Sequence, residues 1–264
     1  MNILSNNAQV FAPIGRCIYC GSSGRGTLTK EHIIPIGIGG GLILPQASCT
    51  PCQQEINRFE TICMRKIFLP FRRATGLVRH GSDLPKSIPL IFDLDLRGPT
   101  FVSLDEHPNV VVIPALRNLP GILAGGAPSN RVDFDYKIFA GVEIMEETQK
   151  RLEEQKRVGI GIDGFAWVRL LAKIAHGIAV AELGLEGFNP ELPDLILGRN
   201  LNLASYLVGK GPSLTPEPDR PPLHQVSRLE AAVNDRKMVA VQIRLFAELG
   251  AEVPTNIVVA GMPV

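Results

Sequence analysis

The sequence predicts an α+β fold in two parts, a small N-terminal unit of two strands and a helix and a larger domain with a mostly antiparallel sheet around one core helix. Three observations support this prediction. Two Cys-x2-Cys pairs, Cys17/Cys20 and Cys49/Cys52, bracket a strand–turn–strand pattern. Residues 164–184 carry the most regular helical period of the chain. Short apolar runs between glycine and proline turns make up much of the rest, as in an antiparallel sheet.

The N-terminal unit is predicted in the order strand, strand, helix. Thr27–Ile34 is the first expected strand, and the glycines of residues 37–41 form a tight turn. Leu42–Leu44 is the returning strand, and we expect Pro45 to stop it. Apolar residues then recur at helical spacing over residues 50–68, which predicts a helix that starts directly after Cys49.

The larger domain is predicted as strands packed around one helix, and we divide the chain into residues 1–70 and 71–264. An Asn234-Asp235 pair between two apolar runs indicates a hairpin, and the five prolines of residues 209–222 indicate a loop. A charged helix is expected over Met145–Arg157. The buried side of the core helix is marked by Phe165, Val168, Leu171, Ala172, Ala175, Ile178, Ala179 and Leu183. The expected strands are Ile88–Leu96, Thr100–Leu104, Val110–Ile113, Asp133–Ile144, Leu223–Val233, Met238–Leu249 and Val253–Val259.

Charge is unevenly distributed, although the whole chain carries a net charge of only +1. Residues 1–86 contain ten Lys/Arg and four Asp/Glu, a balance of +6, which leaves −5 for the remainder. A basic first third joined to an acidic body indicates a polyanionic partner for the basic part. A solvated basic face without a partner would give the same balance.

The cysteines and the apolar segments bear on the cellular compartment. The N-terminus lacks the charged and apolar regions of a secretory signal, and no run of about 18 apolar residues indicates a membrane span. Four of the five cysteines have metal-ligand spacing, which fits a reducing environment, so we expect a cytoplasmic protein. Cys63 falls on the apolar side of the predicted helix, and we expect it in the core.

The two cysteine pairs have the spacing of a tetrahedral four-cysteine zinc site. Four thiolates leave no open coordination position, so a zinc ion held by Cys17, Cys20, Cys49 and Cys52 is expected to be structural. Catalysis by this unit would therefore need a second centre.

Glu31 and His32, which lie between the cysteine pairs, offer such a centre. A carboxylate is a hard ligand suited to Mg²⁺, and an imidazole accepts a proton from water near neutral pH. Because neighbouring strand residues face opposite sides, the two side chains act at one site only if the backbone twists or bulges there. The alternative for His32 is a hydrogen-bonded polar residue in a small zinc finger.

This stretch resembles the zinc-bound HNH endonucleases, a family with a ββα-metal core. The matching segments are CIYC at residues 17–20, KEHIIP at residues 30–35, a GG turn, and ASCTPCQ at residues 47–53. The resemblance covers about residues 15–62, less than a quarter of the chain. A segment within residues 165–185 is similar to parts of larger HNH proteins, which assigns it no role.

The resemblance implies roles for individual residues. Glu31 would bind a catalytic divalent ion, Mg²⁺ or similar, and His32 would be the general base. Gln53 stands where the family usually has a metal-binding Asn, and Gln46 is the nearest candidate for an Asn that steadies the hairpin. Both departures lengthen the side chain by one methylene, which affects the geometry of the metal site.

The implied function is metal-dependent hydrolysis of phosphodiester bonds in nucleic acid, with double-stranded DNA as the expected substrate. The residues themselves do not separate DNA from RNA. A second possibility is a non-catalytic, zinc-stabilised module that binds nucleic acid or protein. The residues expected to contact backbone phosphates are Arg58, Arg65, Lys66, Arg72 and Arg73.

Other polar residues have simpler interpretations. Asn57 and Glu60 are fallback metal ligands that fit an exposed helix surface, and His176 fits a hydrogen-bonded core histidine. Asp93 and Asp95 fit a solvated strand face. The glycine turn lacks the Lys-Ser/Thr of a phosphate-binding loop, so nucleotide binding there is rejected. Three histidines lie near turns or loops without an evident partner in the sequence: His80, His107 and His224.

Overall fold

The computed structural model describes most of the chain, in seven segments. These are residues 8–23, 27–77, 86–90, 100–103, 111–139, 163–212 and 221–264. The helix expected over Met145–Arg157, the pair Asp93 and Asp95, and the histidines His80 and His107 lie outside the described residues. The described part is a mixed α+β structure with mainly antiparallel sheets and one long core helix, as the sequence predicts at this coarse level.

A three-stranded sheet opens the chain, with β1 (Gln9–Val10), β2 (Thr29–His32) and β3 (Leu42–Ser48) in the order β1-β3-β2. β2 and β3 are antiparallel, and β1 adds to β3 in parallel. A single 3₁₀ turn at Ile36–Ile38 joins β2 to β3. The predicted pair of strands is therefore present.

Pro45 does not stop β3, which contradicts the sequence-based expectation. The ladder with β2 shifts register between Thr29 and Glu31, so that three residues of β3 lie opposite one residue of β2. Pro45 falls within this bulge, where its missing N–H costs no ladder hydrogen bond. The next residue, Gln46, takes a left-handed conformation with φ of 50°.

Helix α1 (Thr50–Ile62) begins directly after Cys49, as predicted, and contains Cys52, the other cysteine of the second pair. Cys49 is the extended N-terminal cap residue, and a proline occupies the first turn, where its missing N–H is no loss. The helix buries Ile56 and Phe59 and continues as a π-helical turn at Cys63–Ile67. A short helix, α2 (Leu69–Ala74), follows.

Two antiparallel hairpins form the middle of the chain. β4 (Ser87–Leu90) pairs with β5 (Thr100–Ser103), and β6 (Val111–Leu116) pairs with β7 (Phe134–Phe139). The short helix α3 (Gly121–Ala124) lies between β6 and β7. These strands lie within or beside the runs that the sequence assigns to strands.

Helix α4 (Gly164–Leu183) is the core helix that the sequence predicts. Asp163 caps it by accepting a hydrogen bond from the Ala166 N–H at 3.0 Å. Its length and hydropathy would suit a membrane span, but 78% of its most apolar window is buried inside the protein. It therefore serves as the core element of the fold.

A five-stranded antiparallel sheet packs against α4. The order is β10 (His224–Val233), β11 (Arg236–Leu245), β12 (Asn256–Pro263) and β8 (Phe188–Pro190), and β9 (Val208–Lys210) also pairs with β12. The predicted hairpin between β10 and β11 is present, and both Asn234 and Asp235 have positive φ, as a type I′ turn requires. Two one-turn helices, α5 (Pro193–Ile196) and α6 (Ala204–Leu207), precede the sheet's long strands.

One contiguous cluster of buried residues includes side chains from both parts of the chain. It contains Ile33 and Phe59 of the N-terminal unit together with Trp167 of α4 and Val258 of β12. The division at residue 70 stays a prediction, and the shared cluster shows that α4 packs against both sides of that boundary.

Candidate functional site

The four cysteines expected to bind zinc come together at one end of α1. All four Sγ atoms lie within 4.8 Å of one another, and those of Cys20 and Cys49 are 3.6 Å apart. A tetrahedral zinc site with Zn–S bonds of about 2.3 Å places sulfur atoms about 3.8 Å apart, so the donor set fits zinc. The described residues contain no other group of three or more Cys, His, Asp or Glu donors in such an arrangement.

Backbone hydrogen bonds hold the first cysteine pair against the hairpin. The Ile18 N–H donates to the Ala47 carbonyl at 2.8 Å, and the Cys17 N–H donates to the Ser22 carbonyl at 2.8 Å. Burial raises the pKa of both Cys17 and Cys52, so these thiols are protonated in the metal-free protein at neutral pH. Zinc binding would therefore release protons and would tie the first cysteine pair, Cys17 and Cys20, to the start of α1.

Glu31 and His32 lie on opposite faces of β2. The register shift in the hairpin precedes Glu31, and from there the pairing is regular, with Glu31 opposite Leu44 and His32 opposite Ile43. Glu31 is 5% exposed, whereas His32 is half-buried and shares its face with the exposed Lys30. The hairpin does contain a bulge, but it lies before Glu31 in the chain. It therefore does not bring the Glu31 and His32 side chains to the same side.

The Glu31 carboxylate meets a buried lysine from α4. Lys173 Nζ lies 2.7 Å from Glu31 Oε1 and 3.0 Å from Glu60 Oε1, and the Lys173 side chain is 1% exposed. The same ammonium donates to the backbone carbonyl of His32 and, at 3.3 Å, to that of Ile33. The contact links α4, α1 and β2 at one point.

Charge in this cluster is set by burial and by the ion pairs. Burial raises the pKa of the Glu31 carboxyl, and the Lys173 ammonium opposes this shift. Burial alone would lower the pKa of Lys173, but Glu31 and Glu60 raise it above its ordinary value. The ammonium is therefore charged at neutral pH.

His32 is kept neutral by its surroundings. Partial burial, followed by the positive charges of Lys30 and Lys173, lowers the pKa of the His32 imidazole, and Glu60 acts in the opposite direction. Its Nδ1 atom is buried and has no hydrogen-bond partner among the described residues. The ring is thus in the form that accepts a proton, and no hydrogen bond from the described part of the chain fixes its orientation.

The residues present do not fit the catalytic divalent ion that the resemblance implies. Glu31 is engaged by Lys173, and Glu60, which shares that ammonium, lies seven residues from Gln53, about 10 Å along the helix. The Gln53 side chain is half-buried and makes no hydrogen bond within the described segments. Gln46 is exposed, and Asn57 is exposed on α1.

The basic residues expected to contact phosphate are not equivalent. Arg65 and Lys66 are exposed on the π-helical turn, where the described structure gives them no ion pair. Arg58 is exposed but pairs with Glu55 at 2.7 Å. Arg72 is half-buried and donates to the carbonyls of Gly37 and Met64, so it has a structural role. Arg73 is half-buried on α2.

Several partners of the N-terminal unit were not identified from the sequence. His176 was expected in the core, and its Nε2 indeed meets the Ile18 carbonyl at 2.7 Å. His224, expected near a turn without a partner, instead lies buried in β10 with its Nε2 2.8 Å from the Ile38 carbonyl. Glu60 is not on the open helix surface, because it pairs with Lys173. One feature of the sequence could have pointed to Lys173 as a partner of a buried acid: it is a lysine within an otherwise apolar stretch of the core helix.

Cys63 is fully buried, and burial raises the pKa of its thiol, as fits the core position that the sequence predicts.

Comparison of the sequence with protein-family models finds no match, and comparisons with the curated proteins and with the solved structures also find none. The functional argument therefore depends on the residues of the site.

Proposed function

We propose that the chain cleaves phosphodiester bonds in nucleic acid, with an HNH-type N-terminal unit in which zinc is structural and His32 is the general base. The observation that supports this most strongly is the position of His32. It lies on β2, in the hairpin next to the four-thiol cluster, half-exposed and neutral. A neutral imidazole that solvent reaches is the form that takes a proton from a nucleophile.

The exposed face of β2 offers complementary charge to a phosphate. Lys30 is exposed on the same face as His32, and its charge contributes to lowering the pKa of the imidazole. In the proposed reaction His32 takes the proton of the attacking hydroxyl or water as its oxygen bonds to phosphorus. The bond from phosphorus to the leaving oxygen breaks, a proton from solvent or from the protonated His32 goes to that oxygen, and Lys30 lies close to the negative phosphate. Arg65 and Lys66 contact phosphates elsewhere on the nucleic-acid backbone, which gives binding with little sequence preference.

The test compares wild-type protein with His32→Ala on plasmid DNA and on RNA, each in Mg²⁺, in Mn²⁺ and in EDTA. Zinc content and circular dichroism are measured for both proteins in every condition, because loss of zinc would unfold the unit. The variant should keep its zinc and its fold, since His32 makes no hydrogen bond that the structure describes through its ring. Cleavage should fall by about 10²–10⁴, the range of lost general-base catalysis. Equal cleavage by the two proteins would refute the role of His32.

A second candidate is a non-catalytic, zinc-stabilised module that binds nucleic acid or protein, and the Glu31–Lys173 ion pair favours it. That pair removes the carboxylate that the resemblance assigns to a catalytic ion. Under this alternative the wild-type protein binds nucleic acid in a salt-dependent way but cleaves neither substrate in any of the three conditions. The same assay therefore separates the two functions.

A further inference from the structure

Lys173 has an environment that is unusual for a lysine in the middle of a helix. It is buried to 1% exposure on α4, whose other inward-facing residues are mostly apolar. Four oxygen atoms surround its Nζ. They are Glu31 Oε1, Glu60 Oε1 and the backbone carbonyl oxygens of His32 and Ile33. We call this set the oxygen cradle.

The cradle has the chemistry of a hard-cation site. Carboxylate and backbone carbonyl oxygens are the ligands that Mg²⁺, Mn²⁺ and Ca²⁺ prefer in proteins. The cradle carries two carboxylates against one ammonium. If the ammonium were removed, the buried Glu31 carboxylate and the partly buried Glu60 carboxylate would face one another, which a cation or protonation would relieve.

The cradle also contains the residue that the family resemblance assigns to a divalent ion. Glu31 is that residue, and Glu60 was a fallback ligand. Both carboxylates contact a cation in the structure, and that cation is the ammonium of Lys173.

We propose that Lys173 is the resident cation of the oxygen cradle, and that its ammonium takes the place that a divalent ion would occupy there. The chain thus binds no divalent ion through Glu31. This concerns the same unit as the proposed function and rests on it for one consequence only, that any cleavage by His32 continues when divalent ions other than the zinc are removed.

The test is a Mn²⁺ titration of zinc-loaded protein followed by electron paramagnetic resonance, which reports bound Mn²⁺ without any cleavage. Five proteins are compared: wild type, Glu31→Gln, Lys173→Ala, the double variant Lys173→Ala/Glu31→Gln, and Lys137→Ala. Lys137 is the matched control, because it pairs with Glu252 at 3.0 Å but is 47% exposed. The four-thiol site retains zinc, since soft thiolates select zinc over Mn²⁺.

We expect wild type and Lys137→Ala to give the same titration, with no site that depends on Glu31. Lys173→Ala should gain one bound Mn²⁺ per chain, its thermal stability should rise as Mn²⁺ is added, and the added Glu31→Gln change should remove both effects. A folded Lys173→Ala protein without a new Mn²⁺ site would show that the cradle is not a cation site.

A Mn²⁺ site in the wild-type protein that Glu31→Gln abolishes would overturn the proposal directly. This comparison needs only the native chain and one mild variant, so it decides the matter even if Lys173→Ala fails to fold. Because the titration is independent of cleavage, an inactive wild-type protein would count against the proposed function and leave the result on Lys173 intact. If EDTA abolishes cleavage while the protein retains its zinc, the result counts against the proposal that the Lys173 ammonium replaces a divalent ion, and it leaves the proposed function intact.

Discussion

His224 is held as a neutral imidazole by hydrogen bonds on both ring nitrogens. Its Nε2 lies 2.8 Å from the Ile38 carbonyl, and its Nδ1 accepts from the Phe246 N–H at 3.1 Å. A second proton on the ring would bring an N–H against the Phe246 N–H. Burial lowers the pKa of His224 to about 4, which fits this arrangement.

The protein should therefore lose stability as the pH falls from about 6.5 towards 4. In that window the unfolded chain binds a proton at His224 and the folded chain does not, so stability falls with falling pH. For one histidine the expected loss at pH 5 is about 2 kcal/mol. Urea unfolding at pH 7.5 and pH 5 measures it, and His224→Gln should reduce the difference by that amount. An unchanged difference in the variant would show that His224 does not titrate in this way.

At the scale of single residues, the sequence predicts the contacts that depend on residues close together in the chain. The four cysteines that could hold zinc follow from spacing within two short motifs. The partners of Glu31 and His224 do not, because Lys173 and Ile38 lie more than 140 positions away from them in the chain. Such contacts depend on how α4 and the five-stranded sheet pack against the hairpin.

At the scale of elements, α4 carries a charge into the core where β2 and α1 meet. Lys173→Ala leaves Glu31 and Glu60 buried without their counter-ion, so the free energy of unfolding should fall by about 3–5 kcal/mol. Chemical denaturation at pH 7.5 in the absence of Mn²⁺ measures this. Lys137→Ala, which breaks an exposed pair, should cost less than about 1 kcal/mol. A similar cost for both variants would mean that the buried cluster does not stabilise the packing of α4.

The π-helical turn after α1 presents an adjacent pair of exposed cations, Arg65 and Lys66. If they contact phosphates, changing both to alanine should weaken DNA binding and reduce the slope of log K against log salt by about 2. Fluorescence anisotropy at several salt concentrations measures the slope. The matched control changes Arg236 and Lys237, another adjacent exposed pair, on β11. An equal loss in the control would mean that the binding has no preferred surface.

Among the elements, those with strong local signals were predicted well. The β10–β11 hairpin follows from Asn234-Asp235, because few residue pairs tolerate two left-handed positions in succession. The prediction that β3 ends at Pro45 was wrong, because a bulge accommodates the proline and a bulge depends on the partner strand. Glu31 and His32 face opposite sides because the bulge precedes Glu31 and the pairing is regular from there, so the ordinary alternation of a strand holds for both residues.

At the scale of the whole molecule, α4 connects the N-terminal unit to the sheet. It reaches the unit through Lys173 and through His176, and Arg169 adds an ion pair to Glu55 at 2.8 Å. The two-part division was placed at residue 70 on composition, because a segment with Gly76, Gly81 and Pro85 follows Pro70 and strand-like runs come after it, and the charge balance was counted over residues 1–86. Packing is not visible in those quantities, because one helix can be apolar towards a sheet and still carry a cation towards a second surface.

Zinc at the four thiols would join the first cysteine pair, which is hydrogen-bonded to the hairpin, to the start of α1, and the proposed HNH-type unit depends on it. The most direct test is the metal content of freshly purified, reduced protein. Elemental analysis should give one zinc per chain. Cys49→Ser, which removes the thiol at the N-terminal cap of α1, should lose the zinc and the cooperative unfolding of the N-terminal unit together. Reduced, folded wild-type protein without zinc would show that the four thiols are not a zinc site.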